Sequence, residues 1–497
     1  MYLQSEHKVW LATGEGPVYL EPGMANRHGL IAGATGTGKT VTLKVLAESF
    51  SDMGVPVFLA DIKGDLSGMC ETGVETKHIR RSIDSMGLEN FTYAPCPVRF
   101  WDVYGKLGLP VRTTVSEMGP ELISRLLGLN DTQTGIMRIV FRIADDKGLL
   151  LIDLKDLRSM VQYVGDNAKE YKLTYGNISA QSVGAIQRSL LALEDEGGSI
   201  FFGEPDLKLD DWIDWDESGK GIMNILECQE LVQHPLLYAT FLLWMLSEIY
   251  EMLPEAGDLD KPKLAFFFDE AHLLFNDAPK ALVEKVEQVV RLIRSKGVSV
   301  WFITQVPSDL PDSVLGQIGN RVQHALRAYT PKDQKALRAA AESFRANPNF
   351  DTETALQELA VGEALISVLD AKGTPTIVQR AGILPPHSSM NAVEAFVIQT
   401  NIDRNPLRSK YLKAVDNESA YELLTAEAEE AQREAEEEAQ RKAEEAQRAK
   451  EEKEREKERA ARKKANPLNN VLSSAASTVG REVGRQLVRG ILGSLKW

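Results

Sequence analysis

Apolar residues follow two different spacings along this chain. In short runs they are contiguous or alternate with polar residues, and between these runs they recur every three or four positions. The first spacing predicts strands and the second predicts amphipathic helices. The predicted strands are residues 29–32, 55–61, 221–226, 264–269, 298–304, 321–327, 364–369 and 376–379. Because strands and helices alternate, we predict an α/β fold in which helices cover both faces of a mostly parallel sheet.

A long interval separates the second and third predicted strands. Residues 62–220 exceed what one crossover helix needs, so the interval predicts an inserted subdomain. Four stretches within it have helical apolar spacing, at 116–127, 133–145, 153–164 and 179–195. We therefore predict an α-helical insertion at 97–216 in a core that is made of residues 1–96 and 217–400.

The composition changes after a linker at 401–420. Residues 421–465 are almost entirely Ala, Glu, Gln, Lys and Arg, which predicts a long solvated helix with i,i+4 charge pairs. A coiled coil stays open but is disfavoured, because alanine at most apolar positions offers little area to bury. Residues 466–497 combine an apolar stripe with arginines on another face. This segment predicts a basic amphipathic contact for a partner or a membrane surface, with a plain surface helix or a disordered tail as the alternatives.

Composition and charge narrow the class of protein. The 497 residues carry a net charge of -15 and are 43% hydrophobic, which is typical of a folded protein with an acidic surface. Such a surface argues against broad nucleic-acid binding but leaves room for a narrow basic pore in a ring of subunits. The three cysteines lack metal or disulfide spacing. With no secretory signal, and no apolar run that could span a bilayer, we expect a cytoplasmic protein.

One segment matches the GxxxxGK[ST] phosphate-binding loop in full. It consists of Gly33, Ala34, Thr35, Gly36, Thr37, Gly38, Lys39 and Thr40. A strand is predicted before it and a helix after it, as this loop requires. Its glycines let backbone amides point at phosphates, Lys39 would reach the β and γ phosphates, and Thr40 would ligate magnesium. We expect the chain to bind ATP with Mg²⁺.

Two later strands end in polar residues that suit hydrolysis. Five apolar residues at 264–268 precede Asp269 and Glu270, which predicts a buried strand with two acids at its carboxyl end. Asp269 would hold magnesium and Glu270 would activate the attacking water. The strand at 298–304 is followed by Gln305, which we expect to sense the γ-phosphate.

Other candidates are less specific. Arg294, Arg321 and Arg327 are possible arginine fingers, which would stabilise phosphoryl charge across a subunit boundary. Asp61 ends the second strand, where open α/β folds place ligands, although a structural turn explains it equally well. His272 is better explained by packing or proton relay than by metal binding.

The motifs together resemble the HerA and FtsK group of P-loop ATPases. They run in the order GATGTGKT, DIKGDL, FFFDEAH, a strand that ends in Thr-Gln, and GNRVQHALRAYTPKDQKAL. More narrowly, the chain is similar to the bacterial HerA-like ATPases of the YjgR type. The resemblance covers most of residues 1–400. The chain departs from the group in having only residues 1–32 before the loop, where the HerA group carries a β-barrel, and no evident winged-helix module.

This resemblance implies a RecA-like core, assembly into a ring that is commonly hexameric, and ATP-driven translocation of double-stranded DNA. By position it assigns phosphate and magnesium binding to Lys39 and Thr40, magnesium binding to Asp269, water activation to Glu270, and γ-phosphate sensing to Gln305. An alternative is a scaffold whose assembly is switched by nucleotide and whose carboxy-terminal segments recruit a partner or a membrane. A small-molecule kinase is disfavoured, because Glu270 and Gln305 suit water activation.

Overall fold

The computed structural model describes residues 1–257, 259–276 and 278–464. The chain divides into two compact units, Met1–Tyr421 and Glu422–Trp497. The strands are β1 (Tyr2–Leu3), β2 (Lys8–Thr13), β3 (Pro17–Leu20), β4 (Gly29–Ala32), β5 (Val57–Asp61), β6 (Val98–Asp102), β7 (Leu109–Pro110), β8 (Met223–Glu227), β9 (Leu264–Phe268), β10 (Val298–Thr304), β11 (Asn320–His324), β12 (Glu363–Ser367) and β13 (Gln379–Ile383).

Helices cover this sheet, and most of them lie between the strands along the chain. They are α1 (Lys39–Asp52), α2 (Lys77–Met86), α3 (Val115–Leu126), α4 (Asp131–Lys147), α5 (Leu154–Asp166), α6 (Ala168–Tyr175), α7 (Ala180–Asp195), α8 (Gly198–Phe201), α9 (Pro235–Met252), α10 (Lys280–Leu292), α11 (Asp312–Leu315), α12 (Pro331–Glu342), α13 (Thr352–Glu358), α14 (Ala395–Arg404), α15 (Arg408–Tyr411) and α16 (Ala420–Lys464). Among the described helices, none combines the length and the hydropathy that a membrane crossing needs.

The thirteen strands of the described residues belong to one sheet. Its parallel part runs β11-β4-β10-β9-β5-β8-β6-β7, and β12, β13, β2 and β1 extend it beyond β11 in antiparallel pairs. The predicted mostly parallel α/β sheet is therefore confirmed. The antiparallel strands β1 to β3 were not predicted, and the last predicted strand, 376–379, lies at Gln379–Ile383.

Aromatic packing fixes the first helix to the centre of the sheet. Phe50 of α1 lies 5.8 Å from Phe267 of β9 and 6.2 Å from Trp301 of β10, measured between ring centroids. Each such pair stabilises the fold by about 0.5–1.5 kcal/mol beyond the contribution from burying the rings. The Trp301 ring also covers Gly29 of β4, where a Cβ atom would lie 2.1 Å from it. Helix α1 and strands β4, β9 and β10 therefore form one rigid block.

The inserted segment differs in part from the expectation of an α-helical subdomain at 97–216. The four predicted helices are present as α3, α4, α5 and α7. However, Val98–Asp102 forms β6, a fully buried strand parallel to β8, so the helices begin only at Val115. This strand was not predicted because two charged residues interrupt its apolar run. Arg99 is paired with Asp214 at 2.5 Å, and Asp102 accepts hydrogen bonds from three backbone amides.

The long charged helix was expected at 421–465 and lies at Ala420–Lys464. Its first turn is held by Asp156 of α5, whose carboxylate is fully buried and accepts hydrogen bonds from the Ser419 hydroxyl at 2.6 Å and the Tyr421 amide at 2.9 Å. Residues 425–462 of this helix are exposed, and the coiled-coil alternative stays a prediction. The predicted amphipathic segment at 466–497 lies outside the described residues.

Removal of residues 422–497 is expected to leave the rest of the chain folded. The fragment 1–421 retains Ser419 and Tyr421, the partners of the buried Asp156 carboxylate. Its melting temperature should stay within a few degrees of that of the full chain. A fragment that ends at residue 418 should have a free energy of unfolding that is lower by about 1–3 kcal/mol, because the Asp156 oxygen is then left without these donors. Failure of the fragment 1–421 to fold would show that the boundary is misplaced.

Candidate nucleotide-binding and hydrolysis site

The predicted phosphate loop connects the buried strand β4 to helix α1, as the sequence motif requires. Gly33, Gly36 and Gly38 have φ angles of 154°, 77° and 115°, which side-chain-bearing residues rarely adopt. At Gly33 a Cβ atom would also lie 2.5 Å from the Cβ atom of His324. The glycines therefore allow the loop to curl over the N-terminus of α1, where backbone amides and the helix dipole attract an anion.

A second set of contacts holds the loop against β11 and β12. The Ala34 amide donates to the Ala325 carbonyl at 2.9 Å, and the Gly362 amide donates to the Thr37 carbonyl at 3.0 Å. Ring atom Nδ1 of His324 lies 2.9 Å from a carbonyl oxygen, which can only accept, so Nε2 accepts from the Thr42 hydroxyl at 2.8 Å. Burial lowers the pKa of His324 to about 4, so the ring is neutral at pH 7. No pattern in the sequence predicted this contact.

The two residues that end the motif have partners within the site. The Lys39 ammonium donates to the Gly33 and Ala34 carbonyls at 2.6 Å and 3.1 Å. Burial lowers its pKa, against the opposing charge of Glu270. The Thr40 hydroxyl donates to the Asp65 carboxylate at 3.3 Å.

The two predicted acids lie on the same edge of the sheet as the loop. Strand β10 pairs in parallel with both β4 and β9, and Trp301 aligns with Gly29 on one side and with Phe267 on the other. The carboxyl ends of β4 and β9 therefore meet at one edge, which brings Asp269 and Glu270 to the phosphate loop. Glu270 has the left-handed backbone conformation, with φ 44° and ψ 48°, and such strain in a residue other than glycine is concentrated at functional sites.

The environments of the two acids differ. Burial raises the pKa of Asp269, whose side chain is only 6% exposed. Burial alone would also raise the pKa of Glu270, but the hydrogen bond and charge of Lys63 outweigh it, and the pKa of Glu270 is lowered. Glu270 is therefore ionised at neutral pH, as a general base must be. Nδ1 of His272 lies 3.2 Å from a Glu270 carboxylate oxygen, and its packing or relay role stays a prediction.

Two residues at this site were not selected from the sequence as site residues. Lys63 and Asp65 follow β5, and they contact the acids and the Thr40 hydroxyl respectively. Nearby Asp61 is buried at the end of β5, and burial together with the charge of Asp65 raises its pKa to about 7. Asp61 accepts hydrogen bonds from the Gly64 and Leu66 amides, which favours the structural-turn interpretation.

Gln305 and the three arginines are placed differently. Gln305 follows β10, between the loop and the acids in strand order, and its carbonyl accepts a hydrogen bond from the Gly33 amide at 3.1 Å. Arg327 lies just beyond the carboxyl end of β11, on the same edge, with an exposed side chain. Arg294 precedes β10 and Arg321 is near the start of β11, so both lie at the opposite edge. One chain therefore brings only some of the predicted residues together.

This set of side chains fits a magnesium nucleotide. P-loop ATPases hold phosphates with the loop amides and the lysine, and hold Mg²⁺ with the loop hydroxyl and a carboxylate at the end of a neighbouring strand. Here the glycine conformations present the backbone amides, and Lys39 supplies the ammonium. Thr40 supplies the hydroxyl, and Asp269 supplies the carboxylate. Oxygen donors of this kind are the ligands that Mg²⁺ prefers.

Comparisons with known proteins identify a matching family and structures of similar fold. Residues 6–497 match the family described as "Helicase HerA-like C-terminal". A comparison with curated proteins gave no significant match. Among solved structures, the unbound form of the bacterial conjugative coupling protein TrwB is 15% identical, with a TM-score of 0.51, over 78% of this chain and 91% of that one.

Two further structures are similar at lower scores. The plasmid coupling protein TrwB in complex with ADP and Mg²⁺ is 14% identical, with a TM-score of 0.47, over 76% of this chain and 89% of that one. VirB4 of Thermoanaerobacter pseudethanolicus is 16% identical, with a TM-score of 0.45, over 76% of this chain and 96% of that one. At such identities the likeness to TrwB is one of fold.

The family match covers nearly the whole chain. The protein therefore belongs to the Helicase HerA-like C-terminal family and is a P-loop ATPase of the HerA/FtsK group.

Proposed function

We propose that this protein is an ATP-hydrolysing motor that acts on double-stranded DNA and works as a ring of identical subunits, with six as the expected number. One observation carries the proposal. A single sheet edge brings Lys39 and Thr40 of the phosphate loop together with Asp269 and Glu270. Because the motor would act on DNA at the expense of ATP, we also propose a cytoplasmic location.

Each residue has one task in the proposed reaction. The loop amides from Gly33 to Thr40 and the Lys39 ammonium bind the phosphates, and Thr40 and Asp269 hold the metal. Magnesium, when bound, neutralises charge on the phosphates. Glu270 accepts the proton of the attacking water at a carboxylate oxygen, and the Gln305 amide contacts the γ-phosphate or that water. The ionised state of Glu270 supports its role as the base.

The proposal that the protein acts on DNA is supported by the family match and depends on the proposed ring. The family description names helicases, and the TrwB structure is that of a conjugative coupling protein. The net charge of -15 leaves little attraction for DNA over the whole surface. A ring would solve this problem by gathering the basic side chains of several subunits around one pore.

Replacement of Glu270 by Gln should separate ATP binding from hydrolysis. The variant keeps the shape of the side chain but cannot accept a proton, so we expect turnover to fall by about 10²–10⁴-fold. Its affinity for ATP should stay close to that of the wild type, whereas Lys39→Ala should lose binding. Equilibrium binding of a fluorescent ATP analogue and steady-state phosphate release measure the two effects.

Glu227→Gln is the matched control, because Glu227 ends the parallel strand β8 on the same edge and its carboxylate accepts hydrogen bonds from the Gln229 amide. It should keep normal turnover. Normal turnover in Glu270→Gln itself would remove Glu270 from the proposed role.

The arginine finger is expected to act between subunits. Arg327 is the first choice because it is exposed on the nucleotide edge, where its guanidinium donates to the Gln357 carbonyl. The guanidinium of Arg321 is half-buried on the Ser343 and Leu315 carbonyls. Arg294 is the third candidate. An inactive Arg327→Ala protein mixed with Glu270→Gln should regain part of the ATPase rate, because mixed rings contain intact interfaces. Absence of recovery at every mixing ratio, for all three arginines, would argue against a finger in trans.

Duplex DNA should stimulate ATP hydrolysis by the full chain. Steady-state ATPase rates with and without DNA, at several salt concentrations and with the solution mass measured in parallel, test motor, polymer and ring together. We expect stimulation that falls steeply as salt rises. An ATPase rate that DNA leaves unchanged, with assembly that depends on nucleotide, would instead support the scaffold alternative.

A further inference from the structure

The segment that follows β5 is built as a rigid turn beside the phosphate loop. Asp61, the last residue of β5, accepts hydrogen bonds from the Gly64 amide at 2.7 Å and from the Leu66 amide at 3.0 Å. Gly64 has a φ angle of 78°, which lets the chain reverse at this point. The turn therefore holds the two residues that flank Gly64, Lys63 and Asp65, at fixed positions.

These two residues contact the side chains to which hydrolysis is assigned. The Lys63 ammonium lies 2.5 Å from a Glu270 carboxylate oxygen and 3.6 Å from an Asp269 oxygen. On the other side of the turn, the Asp65 carboxylate accepts the hydrogen bond of the Thr40 hydroxyl. One turn thus contacts the expected base and both expected metal ligands.

The charge balance explains why Lys63 lies there. Asp269 and Glu270 are adjacent along the chain, and their side chains are only 6% and 13% exposed. Two carboxylates with so little water need a cation nearby. Lys63 supplies one positive charge from a side chain that is itself 43% exposed and can move into solvent.

Magnesium would bring two positive charges to the same carboxylates. Its binding to Asp269 and the Lys63 contact are therefore mutually unfavourable, because two cations would share one small site. The short Lys63 hydrogen bond also stabilises the ionised Glu270 carboxylate, which makes it a weaker base toward water.

We propose that Lys63 is a positioning residue, which holds Asp269 and Glu270 as a resident cation in the nucleotide-free protein and is displaced from them by the magnesium nucleotide. Release of Lys63 then makes the Glu270 carboxylate a stronger base toward water only when ATP is in place. This inference rests on the proposed ATPase site and assigns to it a switch between resting and loaded states. A merely structural ion pair would persist in both states.

The test compares the full-length Lys63→Met variant with the wild type in Mg²⁺ titrations. Without nucleotide, Mg²⁺ should leave the melting temperature of the wild type unchanged. The variant should melt at a lower temperature, and Mg²⁺ should raise that temperature, because the two acids then lack the positive charge of Lys63. With a fluorescent ADP analogue, the Mg²⁺ concentration that gives half of the binding enhancement should fall by about fivefold, which is the size expected for a half-exposed ion pair.

Two further variants separate this role from general electrostatics. Lys63→Arg keeps the charge and should behave like the wild type. Lys106→Met removes another lysine that pairs with a carboxylate, that of Glu230 at 2.6 Å, outside the site, and it should leave every Mg²⁺ response unchanged. Lys63→Gln replaces the Met variant if that variant does not fold.

An unchanged Mg²⁺ response in Lys63→Met and Lys63→Gln would overturn the inference. Lys39→Ala distinguishes this failure from failure of the proposed function. If Lys39→Ala loses ADP binding while the Lys63 variants respond like the wild type, only the role of Lys63 is wrong. If Lys39→Ala binds ADP normally, the proposed site itself is wrong.

Discussion

The whole site depends on the parallel pairing of three strands. Strand β10 pairs with β4 on one side and with β9 on the other, all in the same direction. Their carboxyl ends therefore share one edge, and residues from three distant parts of the chain meet there. The packing of Phe50 against Phe267 and Trp301 fixes α1 to the same strands. If β9 were antiparallel to β10, Asp269 and Glu270 would lie at the opposite edge of the sheet, away from the phosphate loop.

Electrostatics at this edge sets how the site can work. Two adjacent, largely buried acids are stable only beside a cation, and the fold supplies Lys63 for this purpose. The phosphate loop is held from the other side by β11 and β12, through the Ala34 and Thr37 contacts and the neutral His324 ring. The loop, the acids and the Lys63 turn are thus linked by short contacts. A change in the cation bound at one of them would therefore alter the electrostatic environment of the others.

Sequence patterns predicted those parts of the site that are local in the chain. The loop from Gly33 to Thr40 is a contiguous motif, and the apolar strand before Asp269 and Glu270 is equally local. Lys63 and Asp65 lie within the DIKGDL motif and His324 lies within the GNRVQHALRAYTPKDQKAL motif. No role was predicted for these residues, because their contacts are with partners that are distant in sequence. Strand β6 was missed for a related reason, since Arg99 and Asp102 find their partners only in the folded chain. The antiparallel strands β1 to β3 were also not predicted, although β2 and β3 contain apolar runs at 9–12 and 18–20.

A structure of the protein with a non-hydrolysable ATP analogue and Mn²⁺, located by its anomalous signal, would decide the matter most directly. We expect the metal between the Thr40 hydroxyl and the Asp269 carboxylate, the triphosphate under the loop amides, and the Lys63 ammonium away from Glu270. A metal bound elsewhere, or a nucleotide whose phosphates lie far from Asp269, would contradict hydrolysis at this edge.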